Sequence, residues 1–169
     1  MSSDDAARLQ RLEDVAEIER LIMDYARHLD ARDLHAYSRL FCADGEWSGN
    51  TGRAKGPDAI QAMLEERLPP NPLPPGPTSR HVVSNPVIDV DGDTATASVT
   101  WALIRRGADE DAPGLALLGH YDDVLAREDG RWRFKSRRAH IDIPNRKVST
   151  PPSTVVQGAK PPGGGTPWA

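Results

Sequence analysis

Asp30 and His81 are the residues whose types and positions best suit proton-transfer chemistry. An imidazole titrates near neutral pH, and a neighbouring carboxylate can fix its tautomer. Asp30 ends a predicted helix, where the helix dipole disfavours a carboxylate by about 0.3–1 kcal/mol. His81 follows a proline-rich segment. Taken singly, Asp30 also fits a solvated turn residue and His81 a core histidine bonded to a backbone carbonyl. Together they predict a histidine base that is oriented by an aspartate.

Aromatic residues supply the candidate walls of a pocket. Tyr25 lies five residues before Asp30 on the same apolar stripe, so its phenol either packs in the core or donates a hydrogen bond to a substrate. In GHYDD, strand alternation places Gly119, Tyr121 and Asp123 on one face, where the glycine leaves room for a ligand. We expect Tyr25 to assist catalysis. The residues expected to bind substrate are Tyr121, Trp101, Trp47 and His120.

The last predicted strand, RWRFKSRRAHIDI, changes the face on which its apolar residues fall. Trp132 and Phe134 occupy even positions, whereas the apolar residues from position 139 onward occupy odd ones. Such a change of phase indicates a β-bulge near residues 136–138, which can turn an arginine toward a pocket. An inward guanidinium can stabilise an oxyanion. We expect this role for Arg138, while Arg137, or two surface arginines, remain open alternatives.

His120 and Asp122 form an H-x-D pair on the other face of their strand. A protein zinc site needs at least three ligands, and the sequence offers no evident third here, so we expect no metal. Nucleotide-binding loops are not found either, because the sequence contains neither GxGxxG nor GxxxxGK[ST].

The first part of the chain predicts three helices. Apolar residues at three- and four-residue spacings indicate one long helix up to Asp30, with Asp4 or Asp5 as its N-cap. Asp33 is the predicted cap of a shorter helix, LHAYSRLFCA, and GPDAIQAMLEERL predicts a third with proline in its first turn. Between these two helices, ADGEW predicts a turn into a short strand. The segment PPNPLPPGP predicts a stiff loop that can cover a pocket.

The second part of the chain predicts strands in two hairpins. One hairpin turns at DGD and the other at Asp129-Gly130. In the first of these strands, alternation places His81 on one face with Val83 and Val87. Helices followed by hairpins indicate an α+β fold with an antiparallel sheet. We assign residues 1–144 to one domain, and residues 145–169, which are rich in proline and glycine, to a disordered or draped tail.

Length, charge and cysteine content exclude several classes of protein. The chain has 169 residues, enough for one domain with a sizeable core. Its net charge of −4 argues against a general nucleic-acid binder. The single cysteine allows no internal disulfide, and no apolar run is long enough for a membrane span or a signal core. These features predict a cytoplasmic protein with a small-molecule substrate and with neither nucleic acid nor membrane as a partner.

Four motifs in a fixed order carry a resemblance to a known family. They are Y-x4-D-x2-D at the end of the first helix, LFxxDGEW, RHVVSNPVIxVDGDTA and GHYDDVLxxxDGRWRFKSRR. Between Val15 and Ile143 the sequence resembles the SnoaL-like branch of the nuclear transport factor 2-like superfamily, and within it the dehydratase-type members, such as scytalone dehydratase and the bile acid dehydratases. One departure is the second histidine of scytalone dehydratase, which has no counterpart in SVTWALIRR.

The resemblance implies a fold, an assembly and a chemistry. The fold is a cone in which a curved antiparallel sheet wraps around three N-terminal helices, and members of the family pair as homodimers or homotrimers. Many enzymes of the superfamily need no cofactor. By position, Asp30 and His81 match the family's acid–histidine pair, and Tyr25 and Arg138 (or Arg137) match its tyrosine and arginine.

We therefore expect a cofactor-independent lyase, a dehydratase or related elimination enzyme. Its substrate is expected to be a hydrophobic, hydroxylated small molecule with an aromatic or polycyclic skeleton. One alternative is an isomerase of the ketosteroid type, in which Asp30 itself shuttles a proton. Another is a non-catalytic module for ligand binding or dimerisation, since one fold supports many functions.

Overall fold

The computed structural model describes residues 2–68, 79–106 and 112–143. The predicted proline-rich loop and the predicted tail lie outside these residues. The helices and strands of the described chain follow one another as α1 (Ser3–Ala31), α2 (Leu34–Ser38), β1 (Phe41–Gly49), β2 (Gly52–Lys55), α3 (Pro57–Arg67), β3 (Ser79–Asp91), β4 (Thr94–Arg105), β5 (Gly114–Glu128) and β6 (Arg131–Ile143).

The long helix α1 is confirmed, but its N-cap is not one of the two predicted aspartates. Ser2 is the N-cap, and it forms a capping box in which its hydroxyl accepts from the backbone N–H of Asp5 and the Asp5 carboxylate accepts from the backbone N–H of Ser2. A serine followed three residues later by an acid is a stronger N-cap signal than a lone aspartate, because the two side chains together satisfy two backbone N–H donors. The predicted apolar stripe is the face of α1 that packs on the sheet.

The two shorter helices are capped as expected, although α2 ends early. The Asp33 carboxylate accepts from the backbone N–H of Ala36, and Pro57 is the first residue of α3. Helix α2 stops at Ser38, and β1 begins at Phe41, where the sequence predicted continuing helix. Pairing with β6 overrides the local helical pattern, since the backbone N–H of Phe134 donates to the carbonyl of Leu40 at 2.9 Å.

The sheet contains the six strands in the order β2-β1-β6-β5-β4-β3. Its two long hairpins are antiparallel as predicted, and the second turns at Asp129 and Gly130, both at positive φ. The predicted turn at ADGEW instead belongs to β1, which pairs in parallel with β6 across an irregularity between Phe41 and Glu46. Gly45 fits this irregularity because a Cβ there would lie 2.7 Å from the Phe134 carbonyl oxygen. The α+β class and the curved sheet over N-terminal helices are confirmed.

Two bulges decide which side chains of β3 and β6 face inward. In β3 the register shifts between Ser84 and Val87, with Asn85 at a φ of 51°. Val87 is therefore 64% exposed and does not share the face of His81, so that expectation was wrong. In β6 the register shifts opposite Val124 and Leu125, which places the predicted change of phase at Lys135.

The core lies between α1, the other helices and the inner face of the sheet. Its strand residues alternate with exposed ones, most clearly along β4 and β5. The predicted division of β5 is confirmed, because Gly119, Tyr121 and Asp123 are buried whereas Asp122 and Val124 are exposed. Within the described chain, none of the helices combines the length and apolar character that crossing a bilayer requires.

Candidate functional site

A cavity of about 250 Å³ lies between the C-terminal half of α1, the helices α2 and α3, and the inner face of the sheet. Most of its wall is apolar. The predicted residues that line it are Tyr25, Trp47, His81, Trp101 and Tyr121. Because a few polar groups converge on an apolar space, this cavity is the best candidate for a small-molecule site.

Asp30 and His81 are in direct contact. The Asp30 Oδ1 atom lies 2.7 Å from the His81 Nδ1 atom, and the same carboxylate accepts from the His81 backbone N–H at 2.9 and 3.2 Å. The Asp30 side chain is only 5% exposed and the His81 side chain 16%. This contact explains why an acid ends α1, since its partner is the first part of β3 rather than its own helix.

The contact fixes the tautomer of the imidazole. A carboxylate only accepts hydrogen bonds, so the Nδ1 atom of His81 carries a proton and the Nε2 atom of the neutral ring keeps its lone pair. The Nε2 atom has no hydrogen-bond partner among residues 2–68, 79–106 and 112–143. His81 lines the cavity, whereas Asp30 lies behind it and does not. The arrangement suits a histidine base with a positioning carboxylate.

Tyr25 joins the cavity wall to the aromatic core. Its hydroxyl oxygen accepts from the Trp47 Nε1–H at 2.9 Å, which leaves the phenol proton available for a second partner. The ring lies 4.7 Å from that of Tyr37 and 5.4 Å from that of Tyr121, both measured between centroids. Tyr25 therefore accepts a structural hydrogen bond from Trp47, and its hydroxyl also interacts with those of Tyr37 and Tyr121.

The inward arginine is Arg137, and the expectation for Arg138 was wrong. Arg137 is fully buried, and its Nε and Nη2 atoms donate to the two Asp123 oxygens at 2.7 and 2.6 Å. Arg138 is exposed on the opposite face, because the bulge at Lys135 returns odd-numbered residues to the inside. Arg137 does not line the cavity. It lies about 4 Å behind the rings of Tyr25 and Tyr121, as cation–π contacts.

Burial and the Asp123 carboxylate shift the pKa values of Tyr37, Tyr121 and Arg137. Burial raises the pKa of Tyr121 well above its usual value, and burial followed by the neighbouring Tyr25 does the same for Tyr37. Burial alone would lower the pKa of Arg137, but the Asp123 carboxylate raises it above its usual value. At neutral pH the two phenols are therefore hydrogen-bond donors, and the guanidinium is charged.

Trp101 occupies the space that the sequence analysis assigned to a ligand. It pairs with Gly119 across β4 and β5, and a Cβ on Gly119 would lie 2.7 Å from the Trp101 ring. The Cβ would overlap the His140 carbonyl oxygen even more closely, so the glycine makes room for the neighbouring strand and for the indole, not for a substrate. The indole lines the cavity, and its buried Nε1 atom has no hydrogen-bond partner in the described chain.

His120 is not a cavity residue, so its predicted role in substrate binding was wrong. It lies on the outer face of the sheet, where its ring stacks on that of His140 at 4.5 Å between centroids. Because side chains alternate along β5, His120 and Tyr121 point to opposite faces of the sheet, and the cavity lies on the face of Tyr121.

The sequence analysis missed several polar residues that line the cavity, among them Tyr37, Arg32 and Arg105. Tyr37 is buried, and its hydroxyl makes no well-oriented hydrogen bond to any described residue. Its spacing of three residues from Leu34 was a signal of an inward face on α2. Arg32 has no such signal, because it lines the cavity only through the left-handed turn, at a φ of 60°, that ends α1.

A second, larger groove of about 760 Å³ lies near the N-terminal half of α1. Asp14 and Arg127 line it, but they bind each other, and Trp132 also donates to Asp14. The charged groups of this groove bind one another. Asp14 lies in the N-terminal half of α1, whereas Asp30, the partner of His81, lies at its C-terminal end. This groove is therefore the weaker candidate for a substrate site.

The fold and the cavity together define the class of protein: a curved sheet over N-terminal helices, with a small-molecule cavity between them, is the nuclear transport factor 2-like architecture. Within that class the chain belongs to the SnoaL-like domain family, whose model matches residues 10–138. No curated protein matches the chain.

Solved structures agree with this assignment. A nuclear transport factor 2-like protein with a cystatin-like fold from Novosphingobium aromaticivorans is 27% identical, with a TM-score of 0.71, over 83% of this chain and 90% of that one. A candidate scytalone dehydratase from the same species is 31% identical, with a TM-score of 0.63, over 79% and 87%. LinA is 22% identical, with a TM-score of 0.69, over 86% and 98%, which shows the shared fold alone.

Proposed function

We propose that the protein is a cofactor-independent lyase that eliminates water or another small group from a hydrophobic, hydroxylated small molecule. The observation that carries the proposal is the 2.7 Å contact between Asp30 and His81 at the wall of the cavity. The similarity to a candidate scytalone dehydratase supports the same class of reaction.

His81 acts as the base in this proposal. Its Nε2 lone pair accepts a proton from a carbon or hydroxyl of the substrate, and Asp30 stabilises the imidazolium that forms. The electron pair of the broken bond then forms the new double bond, and the leaving group departs. When water is lost, the leaving oxygen accepts a hydrogen bond from a phenol, for which the cavity offers Tyr25, Tyr37 and Tyr121. It takes up the proton that His81 removed, so water departs and His81 returns to its neutral form.

Arg137 supports the reaction from behind the wall. Its charge lies 4.1 Å from the Tyr25 ring centre and 4.2 Å from that of Tyr121, so it favours negative charge that develops near their hydroxyls. It does not touch the cavity, and we assign it a positioning role rather than contact with substrate.

The substrate class follows from the size and polarity of the cavity. A mostly apolar space of about 250 Å³ suits a compact aromatic skeleton, and the three tyrosines suit hydroxyl or carbonyl groups on it.

The two alternatives are less well supported. In a ketosteroid-type isomerase the aspartate itself meets the substrate, but Asp30 lies behind His81 and is occupied by three hydrogen-bond contacts. A non-catalytic module has no use for a carboxylate that fixes the tautomer of a cavity histidine. Assembly as a homodimer or homotrimer stays a prediction, which the exposed outer-face residues Val82, Val87 and Val124 support.

The experiment is a turnover screen with hydroxylated aromatic and polycyclic compounds, followed by absorbance for new conjugation. Products with an additional double bond support elimination, and products with a displaced double bond support isomerisation. With a substrate in hand, we expect both Asp30→Asn and His81→Ala to lower kcat/KM by at least about 100-fold.

His28→Gln is the matched control. The His28 side chain is also 16% exposed and lies 3.6 Å from a carboxylate, that of Asp33, but it does not line the cavity. It should keep wild-type turnover. Full activity in His81→Ala would exclude His81 as the base, and binding of these compounds without turnover in any variant would indicate the non-catalytic module.

A further inference from the structure

Four titratable side chains form a cluster on the outer face of the sheet, away from the cavity. His120 on β5 lies directly opposite His140 on β6 in the strand register. Asp122 follows His120 by two residues, and Asp142 follows His140 by two, so all four project from the same face. Side chains that face each other across an antiparallel pair begin only about 4.5–5.5 Å apart at Cβ.

One carboxylate of this cluster orients a histidine. Both oxygens of Asp142 lie 2.9 Å from the His120 Nδ1 atom, which must therefore carry the proton. The neutral ring then keeps a lone pair on Nε2, and this atom lies 3.8 Å from Asp122 Oδ2. A carboxylate that fixes one ring nitrogen while the other stays free is the usual outer support of a metal-binding histidine.

The second histidine directs an unsatisfied nitrogen at the same carboxylate. The His140 Nε2 atom lies 3.1 Å from Asp122 Oδ2. It is nevertheless shielded from solvent and without a properly oriented hydrogen bond to any residue of the described ranges. One ligand atom each from His120, Asp122 and His140 can be chosen so that all three lie within 4.8 Å of one another.

We propose that His120, His140 and Asp122 bind a divalent transition-metal ion of the Zn²⁺ type, with Asp142 as the residue that positions His120. Two imidazoles and one carboxylate suit Zn²⁺ and its neighbours rather than Mg²⁺ or Ca²⁺, and water fills the fourth position. Bonds of about 2.0–2.1 Å place tetrahedral ligands about 3.3 Å apart, so these part-exposed side chains need only small rotations to close around the ion. The sequence analysis counted two ligands because the third comes from the neighbouring strand.

The test is calorimetric titration of the metal-free protein with Zn²⁺ near pH 7. We expect one ion per chain. His140→Gln should weaken binding by more than about 100-fold, and Asp142→Asn by about 10–100-fold through the loss of the orienting carboxylate. His35→Gln is the matched control, since His35 is an exposed histidine on α2 outside the cluster, and it should bind Zn²⁺ as the wild type does.

A second readout does not depend on heats of binding. Co²⁺ in place of Zn²⁺ should give a visible absorption band from imidazole and carboxylate coordination, which His120→Gln loses and His35→Gln keeps. Equal Zn²⁺ affinity in the wild type and His140→Gln would overturn the proposal, and so would a wild type that shows no saturable binding below millimolar Zn²⁺. Neither readout requires turnover, so the outcome is independent of the lyase proposal.

Discussion

Two carboxylate–base pairs lie on the inner side of the sheet, and their surroundings differ. Asp123 and Arg137 are completely buried, joined by two hydrogen bonds and surrounded by the rings of Tyr25, Tyr121 and Phe134. Asp30 and His81 lie at the cavity, and the imidazole keeps one nitrogen free. A guanidinium stays charged in proteins, whereas an imidazole gains and loses a proton near neutral pH.

The difference shows how similar ionic pairs serve different ends. In the sealed pair, Asp123 raises the pKa of Arg137 against the effect of burial, so the charge is permanent and the pair supports the wall. In the open pair, the carboxylate occupies only one side of the ring. The other side remains accessible from the cavity, which is the condition for proton transfer. The two pairs therefore differ in whether the basic group is accessible from the cavity. His81 can exchange a proton with a substrate, whereas Arg137 supports the wall from behind.

The largest expected effect comes from breaking the sealed pair. Asp123→Asn leaves the Arg137 charge buried without a counter-charge, and we expect the free energy of unfolding to fall by about 3–5 kcal/mol. Urea unfolding monitored by circular dichroism measures the change. Asp122→Asn is the matched control, because it makes the same chemical change one residue away on the exposed face. It should cost no more than about 0.5 kcal/mol in metal-free buffer, and equal losses in both variants would contradict the distinction.

Breaking the open pair should affect turnover more than stability. Asp30→Asn keeps the shape of the side chain but removes the charge that stabilises an imidazolium. We expect kcat/KM to fall by at least about 100-fold, equivalent to about 2.7 kcal/mol, while the unfolding free energy changes by about 1 kcal/mol. Parallel kinetic and urea measurements on one preparation test this division. A loss of stability as large as that of Asp123→Asn would place both pairs in the structural class.

A third pair, Asp14–Arg127, sharpens the comparison through its dependence on pH. Burial alone would raise the pKa of Asp14, but hydrogen bonds from Arg127, Trp132 and Gln10 outweigh it and lower the pKa below the usual 3.8. A carboxyl whose pKa is lowered by folding stabilises the protein above its unfolded pKa, and this contribution is lost as pH falls through the folded pKa.

Asp14→Asn should therefore be less stable than the wild type at pH 7, by about 2 kcal/mol for the lost charge-assisted bonds. The difference should shrink as pH falls from about 4 through the lowered pKa of folded Asp14, because the unfolded wild type takes up a proton first and the folded carboxyl follows at lower pH. Thermal unfolding of both proteins at a series of pH values measures it. A difference that stays constant down to about pH 2 would show that the charge of Asp14 contributes nothing.

Sequence patterns identified the features that depend on local chemistry. The stripe on α1, the Asp33 cap and the Asp129-Gly130 turn each follow from residues within one element, and all three are confirmed. Asp30 and His81 are 51 positions apart, and their pairing was inferred because each lacked a local reason for its place. The resemblance to a family supplied the rest of that inference.

The residues that sequence analysis misplaced depend on register between strands. The change of phase in β6 was recognised, but only pairing with β5 shows that Lys135 absorbs it and that Arg137, not Arg138, turns inward. Val87 was misplaced for the same reason, because the bulge at Asn85 has no apolar signal. His140 was missed as a possible metal ligand because its partner His120 is distant along the chain but opposite in register.

The smallest effect is expected at Tyr25, which contacts Arg137 of the sealed pair and lines the cavity that His81 also lines. Its ring lies 4.1 Å from the Arg137 guanidinium, and its hydroxyl accepts from Trp47 at the cavity wall. Tyr25→Phe keeps the ring contact and removes only the hydroxyl. We expect a loss of about 1 kcal/mol in the free energy of unfolding, because the buried Trp47 N–H loses its acceptor.

A double-mutant cycle isolates that hydrogen bond from packing. Trp47→Phe removes the donor and some indole volume, but in the Tyr25→Phe background the donor has already lost its partner. The coupling between the two changes, measured by urea unfolding, should therefore be about 1 kcal/mol. A coupling near zero would mean that the Tyr25 hydroxyl finds another partner. Because an aromatic ring stays at this position in every variant of the cycle, the contact with Arg137 is constant throughout. The measured coupling therefore reports on the Tyr25 hydroxyl alone and not on the contact of its ring with the sealed pair.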